Sequence, residues 1–404
     1  MNDENLPDGR MKAGKSMLFL MAAACAFTVA NLYYIQPLLT QVARTFGIPD
    51  SQAGIVSTIT QVGYALGLFL FVPLGDMVER RSLVVLMTAL AGAALLAIAF
   101  SANEAMVLCF SLALGMITIV PQLIVPLAAH VSSPEDRGRN IGFVMSGLLI
   151  GILLSRVFSG LVGEVFGWRA VYRIAAGAMI VFAVMLRRFL PQCPPVAHVS
   201  YRELLASLGT LVKTEPVLRE ASVNGALMFA AFSAFWTCLV FLLGTPVYRM
   251  GSQEAGLFSL TGVCGALMAP LVGKIADRRG ARFSVGISTV LSCLAYLAFW
   301  LFGQHLFGLI AGVILLDLGT QSGQVSNQTR IHALSDEMRS RINTVFMVSY
   351  FIGGSLGSFL GSFFWGRYQW NGVCAVGGSF LLLALVFHFA VYRPAIRKAA
   401  DTEV

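Results

Sequence analysis

The sequence predicts an all-α membrane protein of 12 transmembrane helices, arranged as two pseudo-symmetric six-helix bundles with both termini in the cytoplasm. Three observations carry that prediction. Of the 404 residues, 57% are hydrophobic and only 12% charged, about half the ~25% charge content of a soluble domain. The charges fall in short clusters between apolar stretches long enough to cross a ~30 Å hydrocarbon core. The chain also repeats itself at half its length.

Taken in order, the first span covers 16–43 and runs past a signal-peptide core without a cleavage point, so it is expected to stay in place. It carries Asn31, Tyr33, Tyr34 and Gln36 ahead of Pro37. Proline distorts a membrane helix there and exposes backbone carbonyls. Spans two to four cover 51–74, 83–101 and 105–131, the last holding Gln122. Span five, 140–163, has a small residue at every fourth position: Gly147, Gly151, Ser155, Ser159 and Gly163. That spacing lets helices touch closely. Span six covers 168–188. Residues 189–219, with Pro191, Pro194 and Pro195, form a cytoplasmic linker too short for a soluble catalytic domain.

Spans seven and eight cover 220–246 and 254–275; Phe229, Phe232 and Trp236 share one stripe of the former. Spans nine and ten are 283–302 and 305–332. In span ten Asp317, Gln321, Gln324 and Gln328 line one helix face, with Asn327 beside them. Span eleven, 341–366, repeats the small-residue ladder at Ser349, Gly353, Gly357 and Gly361, and span twelve covers 370–392. The predicted division is therefore a bundle over 1–188, a linker over 189–219 and a bundle over 220–404.

Charge fixes the orientation. Of the 28 Lys and Arg residues, only Arg44, Arg169, Arg173, Arg249 and Arg367 fall outside or at the outer interface, and Arg156 lies within a span. The rest face the cytoplasm, as the positive-inside rule requires. That bias accounts for the net charge of +8; no basic run interleaved with aromatics suggests a nucleic-acid partner. The seven cysteines form no CxxC pair and the five histidines are scattered, so no metal site or disulfide framework is indicated and no cofactor is implied. The cysteines read as small buried packing residues. Trp168, Trp300, Trp365 and Trp370 fall at the outer ends of spans, where interfacial anchors sit. The Asn327 sequon lies within the polar helix of span ten and reads as a chance match.

The repeat aligns "LGDMVERRS" with "IADRRGARF", setting Asp76 on Asp277, and "DRGRN" with "MRSRI", setting Gln122 on Gln324. Such self-similarity is the mark of parallel bundles. Gly273, Asp277, Arg278, Gly280 and Arg282 resemble the loop motif of the major facilitator superfamily. The first copy keeps Asp76, Arg80 and Arg81 but has Val72 and Glu79 where glycines are usual. The resemblance implies that these charges clamp the cytoplasmic ends and gate the carrier, with Gly353 and Gly357 bordering the moving surfaces. "NLYYIQPLL", "GILLSRVFSG" and "SNQTRI" are similar to bacterial drug and metabolite exporters driven by protons. A multi-pass, monomeric protein of the bacterial inner membrane, moving a small-molecule substrate and protons, is what this resemblance implies.

Two ionisable residues stand deep in spans, where a charge costs several kcal/mol unless paired or wet. Arg156 lies 15 residues beyond Ile141 near the start of span five, and Asp317 lies 15 residues before His332 at the end of span ten. At ~1.5 Å per residue both stand roughly 22 Å from the inner boundary. They are expected to form a proton and charge switch across a central cavity, or else a static salt bridge. Asn31, Tyr34, Gln36, Gln122, Phe232, Trp236, Gln321, Gln324, Asn327 and Gln328 are the candidate substrate-binding residues; interhelical packing is the alternative for each. Three readings follow: proton-coupled export, proton-coupled uptake of an organic anion, or a non-transporting receptor or scaffold. No Ser/His pair, HExxH or paired aspartates at workable spacing suggest an enzyme.

Overall fold

A computed structural model describes residues 14–133, 135–193, 200–262, 280–335 and 338–400. Among the described residues, nine helical stretches are long and apolar enough to cross a membrane. The last of them, Arg339–Ala390, is 52 residues long and is broken at Gln369 (φ 50°, ψ −141°), so it supplies two crossings. Span eight beyond residue 262, with Asp277 and Arg278, lies outside the described residues, as does the Asp76 side chain.

The chain divides into two compact units. The first comprises Met1–Gly47, Ile59–Leu205 and Met250–Leu257. Here the first span is two helices, α1 (Lys15–Ala30) and α2 (Leu39–Phe46), rather than the continuous one expected. Between them Asn31–Ile35 form turns and Gln36–Leu38 a 3₁₀ segment. Pro37 is the cause: it lacks the N–H for the i−4 bond and its ring crowds that carbonyl. Bonds tighten to i−3, as from Gln36 N–H to the Tyr33 carbonyl. α2 ends at Gly47, whose φ of 66° suits the left-handed cap.

α3 (Asp50–Phe71) enters this unit from residue 59 onward. α4 (Arg80–Ala99), α5 (Glu104–Ile117) and α6 (Val120–His130) follow. Span four is thus also broken, at Thr118–Ile119 just before Pro121 and Gln122. α7 (Arg137–Phe166) and α8 (Trp168–Phe189) complete the long helices. α7 lies so close to α1 that a methyl group added at Gly147 or Gly151 would collide with the carbonyls of Ala22 and Ala26.

The linker holds a helix that composition did not announce, α9 (Tyr201–Thr214). Ser200 and Glu203 form a reciprocal capping box at its start. Leu204, Leu208 and Leu211 are its buried stripe.

The second unit comprises Ile48–Thr58, Ala206–Arg249 and Phe258–Val404. Its long helices are α10 (Pro216–Leu243), α12 (Ala281–Phe302), α13 (Leu306–His332) and α14 (Arg339–Ala400); the short α11 (Ser252–Leu257) packs on α7 in the first unit. Against α10, the Gly353–Gly357–Gly361 ladder of α14 meets Ala226, Ala230 and Ala234. α12 and α13 meet through serines and glycines, with Ser326 donating to Ser284 at 2.9 Å.

Two expectations are corrected. Trp168, Trp365 and Trp370 are buried in protein rather than anchored in the interface, while Trp300 is exposed. The indole N–H of Trp168 donates to Thr45 and that of Trp370 to the Phe299 carbonyl, each at 3.0 Å; satisfied internally, neither needs headgroup water. Among the described cysteines, Cys109 is exposed and Cys293 half-buried, whereas the other four are buried.

The ladder gives a stability prediction. A methyl added at Gly357 would meet the Ala230 backbone, whereas one at Gly378 meets nothing within 4 Å. Gly357→Ala should cost ~1–3 kcal/mol through overpacking, and Gly378→Ala should stabilise by a few tenths up to ~1 kcal/mol through helix propensity. Thermal unfolding in one detergent compares the two; equal midpoints would refute the close contact.

Candidate functional site

In the first unit the unwound segment after Ala30 delivers its polar side chains into the helix core. Gln36 is buried, and its Oε1 accepts from Arg156 Nε at 2.7 Å. The Arg156 guanidinium also lies over the Tyr33 ring, 4.9 Å from its centroid, a distance at which cation–π attraction operates. Arg156 is 1% exposed. Span one therefore supplies both of these contacts, from two residues three apart that share a face.

Other residues expected nearby take different partners. Asn31 donates to the Met179 sulfur at 3.6 Å, and the Tyr34 ring packs on Phe158 at 5.8 Å. Gln122 shares a side-chain hydrogen bond with Tyr64 of α3. Tyr33 and Tyr64 are thus additions to the predicted set. Tyr33 was legible in the sequence, because it stands three residues from Gln36; Tyr64 left no such signal.

In the second unit, Asp317 is 3% exposed. Its carboxylate lies against Gly262, where an added methyl would come within 3.0–3.2 Å of it. Gln321, Gln324 and Gln328 run along one face of α13 and are all half-buried. Tyr350 O–H donates to Gln324 Oε1 at 3.4 Å, and Gln328 Nε2 approaches the Met347 sulfur at 3.9 Å. Asn327 belongs to another network: its Nδ2 donates to Asn224 Oδ1 at 3.1 Å, and Asn224 Nδ2 reaches Thr289 Oγ1 at 3.5 Å. Phe232 stacks with Phe229 at 5.6 Å and packs on Trp236 at 6.1 Å, and both it and Trp236 are buried. Phe229 in turn stacks on Tyr350 at 4.0 Å. One continuous aromatic band therefore joins α10 to α14.

The loop-motif arginines are held by identifiable partners. Arg80 Nε donates to the Gly75 carbonyl at 2.9 Å, and Arg81 donates to the Arg187 carbonyl. Glu79, the departure from the usual glycine, caps α4: its oxygens accept from the N–H groups of Arg81, Ser82 and Cys193 at 2.8–3.1 Å. Burial pushes this carboxyl up, but those hydrogen bonds outweigh it and hold its pKa below the ordinary value. In the second unit Arg282 Nε meets Glu220 Oε1 at 3.0 Å, and Arg330 Nη2 meets Glu220 Oε2 at 2.8 Å. Glu220 and Arg330 escaped the sequence reading, since a carboxylate at a span entrance looks like an ordinary boundary charge.

Residues 18–256 and 250–403 match the sequence profile described as Major Facilitator Superfamily. This chain belongs to that family. A member from Escherichia coli K12, described as a putative uncharacterized transporter YgaY, is 40% identical over 92% of this chain and 94% of its own length. The probable transporter SCO4007 of Streptomyces coelicolor is 37% identical over 93% of this chain and 88% of its own. A bacterial homolog of the human lysosomal transporter Spinster, crystallised in an inward-facing and occupied conformation, superposes with TM-score 0.75. It is 16% identical and covers 94% of this chain and 96% of its own. The protein is thus a multi-pass membrane transporter with the major facilitator fold.

Two predictions follow from the charges. Glu220→Gln leaves two largely buried guanidinium groups facing a neutral amide and should cost ~3 kcal/mol, the lower end for a broken buried ion pair. Chemical unfolding in detergent measures it, and an unchanged midpoint would mean that water already solvates the arginines. Because the folded-state pKa of Glu79 is depressed, its stabilisation is present above the ordinary carboxylate range and is lost as pH falls through that range. Acidification should therefore lower the wild-type melting temperature more than that of Glu79→Gln; parallel pH profiles would exclude this role.

Proposed function

We propose that this protein is a proton-coupled exporter of a small amphipathic organic molecule in the bacterial inner membrane, working by alternating access. Two six-helix bundles, 1–188 and 220–404, are the moving bodies, joined by the 189–219 linker. The observation that carries this reading is the burial, within helices that cross the membrane, of one arginine and one aspartate at matched sequence depth. Embedded charges are costly and mark substrate or proton pathways.

In this reading Asp317 is the proton-accepting carboxylate. Protonation removes a charge whose desolvation otherwise opposes burial, so occupancy by a proton biases the conformational equilibrium. Arg156, oriented by Gln36 and Tyr33, supplies fixed positive charge to a polar or anionic group of the substrate. Asn31, Tyr34, Gln122, Gln321, Gln324, Asn327 and Gln328 offer amide and hydroxyl contacts, while Phe232 and Trp236 offer an apolar wall. The gate is formed by Asp76, Arg80, Arg81, Asp277, Arg278 and Arg282, with Gly353 and Gly357 setting how closely its helices approach. Export is supported by the resemblance of 31–39, 151–163 and 326–331 to exporters. Proton-coupled uptake of an organic anion is the second reading, and the buried guanidinium favours it.

A thermal-shift screen of amphipathic anions, cations and sugars identifies a ligand, and Arg156→Gln should abolish the shift for anions alone. With that ligand, everted vesicles acidified inside should accumulate substrate if the protein is an antiporter, and should not if it is a symporter. Asp317→Asn should abolish the pH-driven component while counterflow persists. Unchanged coupling in that variant would remove Asp317 from the mechanism.

A further inference from the structure

On one flank of the α1–α7 contact, within the first unit, runs an apolar groove of about 520 Å³. α1 lines it from Phe19 to Ala30, with Tyr34 of the unwound segment at the far end, and α7 lines it from Phe143 to Phe158 through residues spaced three and four apart. At ~1.5 Å per residue the groove is roughly 22 Å long, more than the ~15 Å hydrocarbon depth of one leaflet. α8 closes the far wall with Ile174, Ala175 and Ala178.

Apart from the Tyr34 phenol at the far end, its chemistry is nearly uniform. The only hydroxyls on the α7 wall, Ser146 and Ser155, already donate to the carbonyls of Phe143 and Ile152, each at 2.7 Å. A guest with polar groups along its length finds no partner on that wall. The rim is open, with Phe19 67% exposed and Ile150 and Leu154 each 52% exposed. On helices that cross a membrane, an apolar rim of this kind suits acyl chain better than water.

One end of the groove is not neutral. Lys15 stands one turn before Phe19 on α1, and Arg139 stands one turn before Phe143 on α7; both are exposed. The two helices run parallel and in step, with Gly147 against Ala22 and Gly151 against Ala26, so Lys15 and Arg139 are level. A long apolar trough ending at two level cations matches a chain that ends in a phosphate.

We propose that this groove binds one acyl chain of an anionic phospholipid, with the chain lying along α1 and α7 and the phosphate between Lys15 and Arg139. The convex lipid-facing surface of α4 around Leu86 and Leu90 gives a chain contact on one side only; the groove encloses it on three, which raises the number of dispersion contacts.

The test uses the full chain in nanodiscs containing phosphatidylglycerol with a diazirine at the acyl terminus, or phosphatidylcholine with the same chain. Labelling of peptides 19–34 and 143–158 should exceed that of the Leu86–Leu90 peptide several-fold, and phosphatidylglycerol should label better than phosphatidylcholine. Lys15→Ala and Arg139→Ala should each lower the preference for phosphatidylglycerol over phosphatidylcholine about five-fold. Ala23→Leu with Ala178→Leu, which fills the groove, should reduce both lipids to the level of the α4 surface. In wild type, unlabelled phosphatidylglycerol should compete more strongly than phosphatidylcholine, so the result does not depend on the filled variant folding. Equal labelling of groove and α4 peptides, or equal competition by the two lipids, would overturn the proposal.

Discussion

A guanidinium enclosed by helices has to be solvated by protein, and the first unit is arranged around that demand. Arg156 finds an amide oxygen in Gln36 and a ring face in Tyr33. Pro37 ends the i−4 ladder and lets the segment that carries both residues unwind. The price of the break is small, because the loosened backbone groups re-pair locally through i−3 bonds. The backbone beside Arg156 is equally constrained: a methyl added at Gly256 of α11 would meet the Arg156 carbonyl.

The second unit meets its polar demands in a different way. It spreads them over a seam of short side chains between α10, α12 and α13. Asn327, Asn224 and Thr289 form a chain of amide and hydroxyl groups, and Ser326 pairs with Ser284 alongside. Small side chains serve twice there, since they allow close packing and carry the hydrogen-bonding groups that hold helices in a medium without water. Gly262 contributes by omission, because the missing side chain leaves room for the Asp317 carboxylate.

Much of this was legible in the sequence, and the reasons differ by feature. Spans such as 283–302 and 305–332 match α12 and α13 within two residues at each end, because apolar length is a local property. The stripe Gln321–Gln324–Gln328 was legible from helical period, and all three residues share the same partial burial. The breaks in spans one and four were half legible: Pro37 and Pro121 mark them, but how many residues unwind depends on side chains arriving from other helices. Glu220 was missed because its partners Arg282 and Arg330 lie 62 and 110 residues away. No local pattern encodes a pairing at that separation. The inward turn of Trp168 and Trp370 has the same origin, since a tryptophan near a span end satisfies either environment until its N–H partner is known.

The break at Gln369 has a mechanical consequence. Two membrane crossings are joined there through a single residue of positive φ, and the chain folds back at once: an added methyl at Gly372 would stand 2.5 Å from the Phe364 carbonyl. A hinge needs spare backbone to absorb rotation, and this joint has none. With no slack between them, a tilt of the arm carrying Gly353 and Gly357 bears directly on the start of the arm that follows Gln369.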